Sequence, residues 1–105
     1  MKNLTIITHT DDQQDLINLL RTTDQVLGFT LSHIEGHGTE AETEHDPFLS
    51  ARDEVVGISP RVRVEIILHD NDLDTVISIL RDAKERGKMN SAYYWVSAVE
   101  QEGHL

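Results

Sequence analysis

The apolar positions of this chain follow two rhythms. Leu4 to Thr8 is a short β-branched run with polar ends, the pattern of a strand buried on one face. Leu16, Ile17, Leu19 and Leu20 then form a broad stripe at helical spacing. Ahead of them, Thr10-Asp11-Asp12-Gln13 has the form of a capping box, the Thr10 hydroxyl accepting from the Gln13 amide while the Gln13 side chain reaches back. The aspartates of that first turn suit the positive end of the helix dipole, and Thr22-Thr23-Asp24 ends the helix. A second strand is expected from Val26 to Glu35, with Phe29 and Leu31 on one face and Thr30, Ser32 and Ile34 on the other.

Pro60 opens a third strand, where a missing amide donor is tolerated. Val62, Val64, Ile66 and Leu68 share its apolar face, and Arg61, Arg63, Glu65 and Ile67 share the other. Asp70, Asn71 and Asp72 are candidate N-caps for a second helix, whose Leu73, Val76, Ile77 and Leu80 fall at i, i+3, i+4 and i+7. Ile79 and Ala83 widen that face, and Gly87 is placed to stop the helix. Ser91 to Glu100, with Tyr93, Tyr94, Trp95, Val96 and Val99, reads as the last strand.

The order βαββαβ predicts a single α+β domain over residues 1–105 with the ferredoxin-like arrangement: a four-stranded antiparallel sheet, two helices on one face, and a long loop between strands 2 and 3. That loop, at about 36–59, carries Glu40, Glu42, Glu44, Asp46, Asp53 and Glu54 against Arg52 alone. Its length and charge predict a mobile acidic segment with a functional role. On the sheet face away from the helices, Arg63 and Glu65 stand among Ile34, Ile67 and Trp95. Such a face suits packing between subunits around an ion-paired patch better than it suits water.

Composition narrows the partners. A net charge of −10 argues against nucleic acid and anionic membranes and favours cations or a basic protein surface. With no cysteine there is neither a disulfide framework nor a thiolate metal site. The first apolar run is too short for a signal peptide or a membrane span, so a soluble, cytoplasmic protein without direct membrane insertion is expected.

Imidazole and carboxylate dominate the available chemistry. His37 lies between Gly36 and Gly38, His45 sits in Glu44-His45-Asp46, and His104 is near the end of the chain. These donors suit Zn²⁺, Cu²⁺ or Ni²⁺, although no two histidines have a tight ligand spacing. Scattered polar histidines, including His9, His33 and His69, are the plainer reading of the same residues. Tyr93, Tyr94 and Trp95 have no basic neighbours of the kind a base-stacking platform needs. Ser59 and Ser91 show no His–Asp partnership, and no carboxylate pair sits in a recognisable apolar setting, so catalysis is not expected.

GFTLSHIEGHG, PRVRVEIILHD, the helix beginning near Leu73 and WVSAVEQ together resemble the PII signal-transduction superfamily over nearly the whole chain. The ending EGHL is similar to a PII-like family associated with heavy-metal efflux systems. The resemblance implies a homotrimer with clefts between subunits and a regulatory loop acting on a partner, here a membrane transporter or efflux system. It places Gly36, Gly38, Glu40, Arg61, Glu65 and Tyr93 in the ligand cleft. The chain departs from the PII pattern where phosphate is gripped. GKMNSAYYW replaces the glycine-rich GDGK loop, Tyr93 stands where a lysine is expected, and the tail lacks arginines. A divalent transition metal held by His37, His45 and His104 is therefore expected to bind more tightly than ATP. The leading expectation is a PII-like regulator. A metal-buffering or delivery protein is the alternative, and a small-molecule enzyme a distant third.

Overall fold

The computed structural model describes residues 1–37, 59–90 and 92–105. The elements run β1 (Lys2–His9), α1 (Gln13–Arg21), β2 (Thr30–Gly36), β3 (Ser59–Leu68), α2 (Leu73–Glu85) and β4 (Tyr93–Ala98). They build one antiparallel sheet in the order β2-β3-β1-β4, the expected ferredoxin-like α+β fold.

Register decides which residues meet the helices. Leu4 stands opposite Ile66 and Val96, and Ile6 opposite Val64 and Tyr94. Leu4, Ile6, Val64, Ile66 and Leu68 pack with Leu16 and Leu20 of α1, Val76 and Leu80 of α2, and Met89 beyond α2. Both amphipathic stripes therefore face the sheet as their spacing predicts. Burying one such aliphatic side chain contributes about 1.5–3 kcal/mol. Among the described residues, no helix is long and apolar enough to cross a membrane.

Local chemistry departs from expectation in several places. The capping box does not form. His9 caps a 3₁₀ turn over Thr10–Asp12, its Nδ1 accepting from the Asp11 amide at 3.1 Å. The Gln13 amide bonds the Thr10 carbonyl rather than its hydroxyl, and the Gln13 side chain lies 2.7 Å from His33 Nε2. The 3₁₀ turn draws Asp12 inward, so it is buried rather than solvated. At the other end of α1 the Thr22 and Thr23 hydroxyls close the helix by donating to the Leu19 carbonyl at 3.0 and 2.7 Å.

β2 begins at Thr30, not at Val26. The Val26 amide donates to the Thr23 carbonyl in a turn leaving α1, so it has no place in a ladder. No side chain of Asp70, Asn71 or Asp72 caps α2. Asp70 instead meets the Met1 amine at 2.9 Å. That hydrogen bond holds the Asp70 carboxyl below its usual range. Gly87 ends α2 as expected, at φ +73°, with its amide bonded to the Lys84 carbonyl and the Lys88 amide to that of Ala83. β4 stops at Ala98, opposite Lys2 where β1 starts, and is shorter than the expected Ser91–Glu100. Gly36 and Ser59, expected to bound the loop, are paired ladder residues. The rest of the acidic loop, 38–58, lies outside the described residues.

Candidate functional site at one end of the open sheet face

The face away from the helices is assembled from alternate residues of four strands. One row across it reads Tyr93, Ile7, Arg63, Ser32, and the next reads Trp95, Thr5, Glu65, Thr30. Towards the end where the chain leaves β2 and re-enters at β3, a third row reads His9, Arg61, Ile34.

That end is tightly built. A Cβ on Gly36 would come within 2.8 Å of Arg61 Cγ and 3.3 Å of the Ser59 carbonyl oxygen. Glycine is thus required because the Arg61 stem lies across the end of β2. His9 is buried, its Nδ1 accepting from the Asp11 amide and lying 3.3 Å from the Asp11 carboxylate. Among the described residues His9 Nε2 has no partner, and neither has the buried Ser59 Oγ. Beside them Arg61 contributes a permanent positive charge. Buried polar groups are nearly always satisfied, which makes this corner the candidate site.

The middle of the face is a different patch. Arg63 donates to Glu65 at 2.9 Å and lies 5.6 Å from the centroid of the Trp95 ring. Tyr93 and Trp95 stand 6.0 Å apart with planes tilted by 54°, and Tyr93 is 70% exposed. Down the centre, Asn3 Oδ1 and Thr5 Oγ1 are buried with no partner among the described residues. Together with His9 Nε2 they make every orphaned polar group of β1 point to this one face.

Of the residues singled out from sequence, Gly36 and Arg61 are in contact at the corner. Glu65 and Tyr93 belong to the central patch instead, because Arg63 separates Glu65 from Arg61 on the same strand face. His37 Nε2 meets Glu35 Oε2 at 2.7 Å, both side chains well exposed. His104 lies in the exposed tail. Gly38, Glu40 and His45 fall outside the described residues. Among the described residues, no group of three or more His, Asp or Glu side chains could hold a metal ion. Sequence reasoning passed over His9 and Ser59, although the odd-numbered parity Asn3, Thr5, Ile7, His9 already set them on the face of Arg61.

The whole chain, residues 1–105, matches the family described as protein of unknown function DUF3240. It belongs to that family. A crystal structure of a DUF3240 family protein from Shewanella baltica superposes with a TM-score of 0.76 at 20% identity, covering 99% of this chain and 94% of that one, which establishes the shared fold. The nitrogen regulatory protein P-II of Rhizobium meliloti is 30% identical over 74 residues, 70% of this chain and 64% of that protein. The nitrogen regulatory protein P-II 2 of Methanothermobacter thermautotrophicus is 22% identical over 101 residues, 96% of this chain and 85% of that protein. The DUF3240 chain thus resembles PII regulatory proteins along its length, while its best-aligned stretch spans just under two thirds of the Rhizobium proteins.

Proposed function

We propose that this DUF3240 protein is a PII-type regulator that assembles as a homotrimer through its open sheet face. Segment 38–58 reports ligand occupancy beside Glu35 and His37, at the end of β2, to a partner, a heavy-metal transport system. The single observation that carries the assembly is the line of orphaned polar atoms on β1, Asn3 Oδ1, Thr5 Oγ1 and His9 Nε2, flanked by exposed Tyr93, Trp95 and Ile67. Each unmet buried group costs about 1–3 kcal/mol, which hydrogen bonds from a neighbouring copy would offset. The likeness to P-II nitrogen regulatory proteins supports a regulatory rather than catalytic role.

The effector we propose is a divalent transition metal, Zn²⁺, Cu²⁺ or Ni²⁺, in preference to ATP. His37 and Glu35 already bring an imidazole and a carboxylate together, and His45 and His104 are the further imidazoles of the set. A triphosphate meets a chain of net charge −10 in which Tyr93 replaces the phosphate-gripping lysine. The exposure of His37 and Glu35 also suits the alternative, a protein that loads and delivers the ion.

Sedimentation at micromolar concentration should show a trimer that Trp95→Asp converts to folded monomer. A stable wild-type monomer would overturn the assembly. Calorimetry should show metal heat, weakened by His37→Ala combined with His104→Ala and by acid, since a ligating imidazole must be unprotonated. Micromolar ATP binding with no metal heat would overturn the choice of effector. Metal binding without any change in partner affinity would favour delivery over regulation.

A further inference from the structure

We infer that the groove between α2 and β4, on the helix-bearing side, docks an extended acidic–aliphatic segment of a partner protein. The helices cover β1 and β3 but stop short of β4. Leu4 and Ile6 are at most 2% exposed, whereas their cross-strand neighbours Val96 and Tyr94 are 36% and 41% exposed. The result is a gutter whose floor is Ile6, Leu80 and Met89 and whose sides are Ile77 and Tyr94. Its volume of ≈ 220 Å³ lies below the ~300–1,000 Å³ of small-molecule pockets and suits one or two anchoring side chains.

The rim supplies the charge complement. Arg81 reaches across and donates to the Tyr94 hydroxyl at 3.0 Å, and Lys84 follows one turn on. Four of the nine Lys and Arg residues fall within 81–88, in a chain of net charge −10. Asp82 is engaged by Arg86 at 3.1 Å, and among the described residues neither Arg81 nor Lys84 pairs with a carboxylate. Two cations over an apolar floor favour a leucine or phenylalanine flanked by Asp or Glu. This surface lies on the opposite side of the sheet from the orphaned polar atoms of β1, so it rests neither on the effector reading nor on the trimer.

The test is a titration of the isotopically labelled full chain with the capped hexapeptide Glu-Glu-Leu-Phe-Glu-Glu, followed by amide NMR. Two controls are Lys-Lys-Leu-Phe-Lys-Lys and Glu-Glu-Ser-Gly-Glu-Glu. We expect the amides of Ile77, Arg81, Lys84 and Tyr94 to shift with the first peptide alone. Arg81→Gln with Lys84→Gln should weaken binding about tenfold, the sum of two partly exposed charge contacts, and added salt should do likewise. Both substituted positions are exposed, so the variant should keep its fold, and Trp95→Asp should leave peptide binding intact even where it breaks the trimer. An equal response to the lysine peptide, shifts confined to other surfaces, or a groove filled by a second copy in the unliganded protein would each overturn the inference.

Discussion

β1 carries two environments on alternate residues. On the helix side, its buried hydroxyl finds a partner within the chain. The Thr8 hydroxyl donates to Asp12 at 3.2 Å, and Asp12 also accepts from the Asn90 side chain at 3.0 Å and the Asn90 amide at 3.3 Å. On the open side Asn3, Thr5 and His9 are packed in, yet each leaves a polar atom unmet among the described residues. Apolar burial closes the first face with the chain's own helices. The second has been desolvated by its neighbours without being satisfied by the described residues, which sets it apart from the core. The Asp12 network also ties the turn before α1 to the turn before β4, two points distant in sequence that frame β1 on its helix side.

Substitutions on the two faces should therefore behave differently, and the largest effect belongs to the closed one. Ile66→Ala should cost about 2–5 kcal/mol, read as a lower urea midpoint at unchanged slope. A loss below about half a kcal/mol would mean the core is not where the register puts it. Asp12→Ala strands the Asn90 groups and the Thr8 hydroxyl, and should cost about 1–3 kcal/mol with accelerated exchange of the Asn90 amide. Asp12→Asn should recover part of that, because one acceptor oxygen remains.

The sharpest comparison uses one substitution on both faces of one strand. Thr8→Val removes a satisfied donor and should destabilise by about 1 kcal/mol, whereas Thr5→Val removes an orphaned hydroxyl and should be near neutral in the monomer. If the open face assembles, Thr5→Val should instead weaken the trimer, visible as a raised dissociation concentration. Equal effects at both positions in the monomer would erase the distinction between the faces.

The smallest effect tests the edge of the structure. The Met1 amine holds the Asp70 carboxyl below its usual range, chiefly through their hydrogen bond. A carboxyl with a lowered folded value contributes stability above its unfolded value and loses it as pH falls through the folded one. The wild type should thus exceed Asp70→Asn slightly in urea midpoint near neutral pH, and the difference should vanish in acid below the usual aspartate range. A difference that persisted in acid would assign the effect to packing instead of charge.

The two helices, the apolar face of β3 and the Gly87 stop were legible because each depends on residues a few positions apart. Periodicity is a local property, and a strand or helix must present its stripe wherever it sits. The same reasoning extended β2 back to Val26 and β4 on to Glu100, since composition signals extended chain but only a partner strand supplies a ladder. Thr10 looked like a cap by its spacing to Gln13, yet a 3₁₀ turn precedes the helix, with His9 capping that turn at the Asp11 amide and the Thr10 carbonyl taking the Gln13 amide.

Sequence by itself determined the order of elements and which faces are apolar. Those follow from side-chain chemistry at short range along one strand or helix. Tertiary structure decided that Arg61 crosses Gly36, that Glu65 pairs with Arg63 beneath Trp95, and that Asp12 is turned inward to Asn90. It also decided that His9 and Ser59 end as buried polar groups, unmet among the described residues, at one corner of the sheet. Each of these depends on antiparallel register between segments up to 78 residues apart, and register is settled by the whole sheet closing over one core, not by any stretch of chain alone.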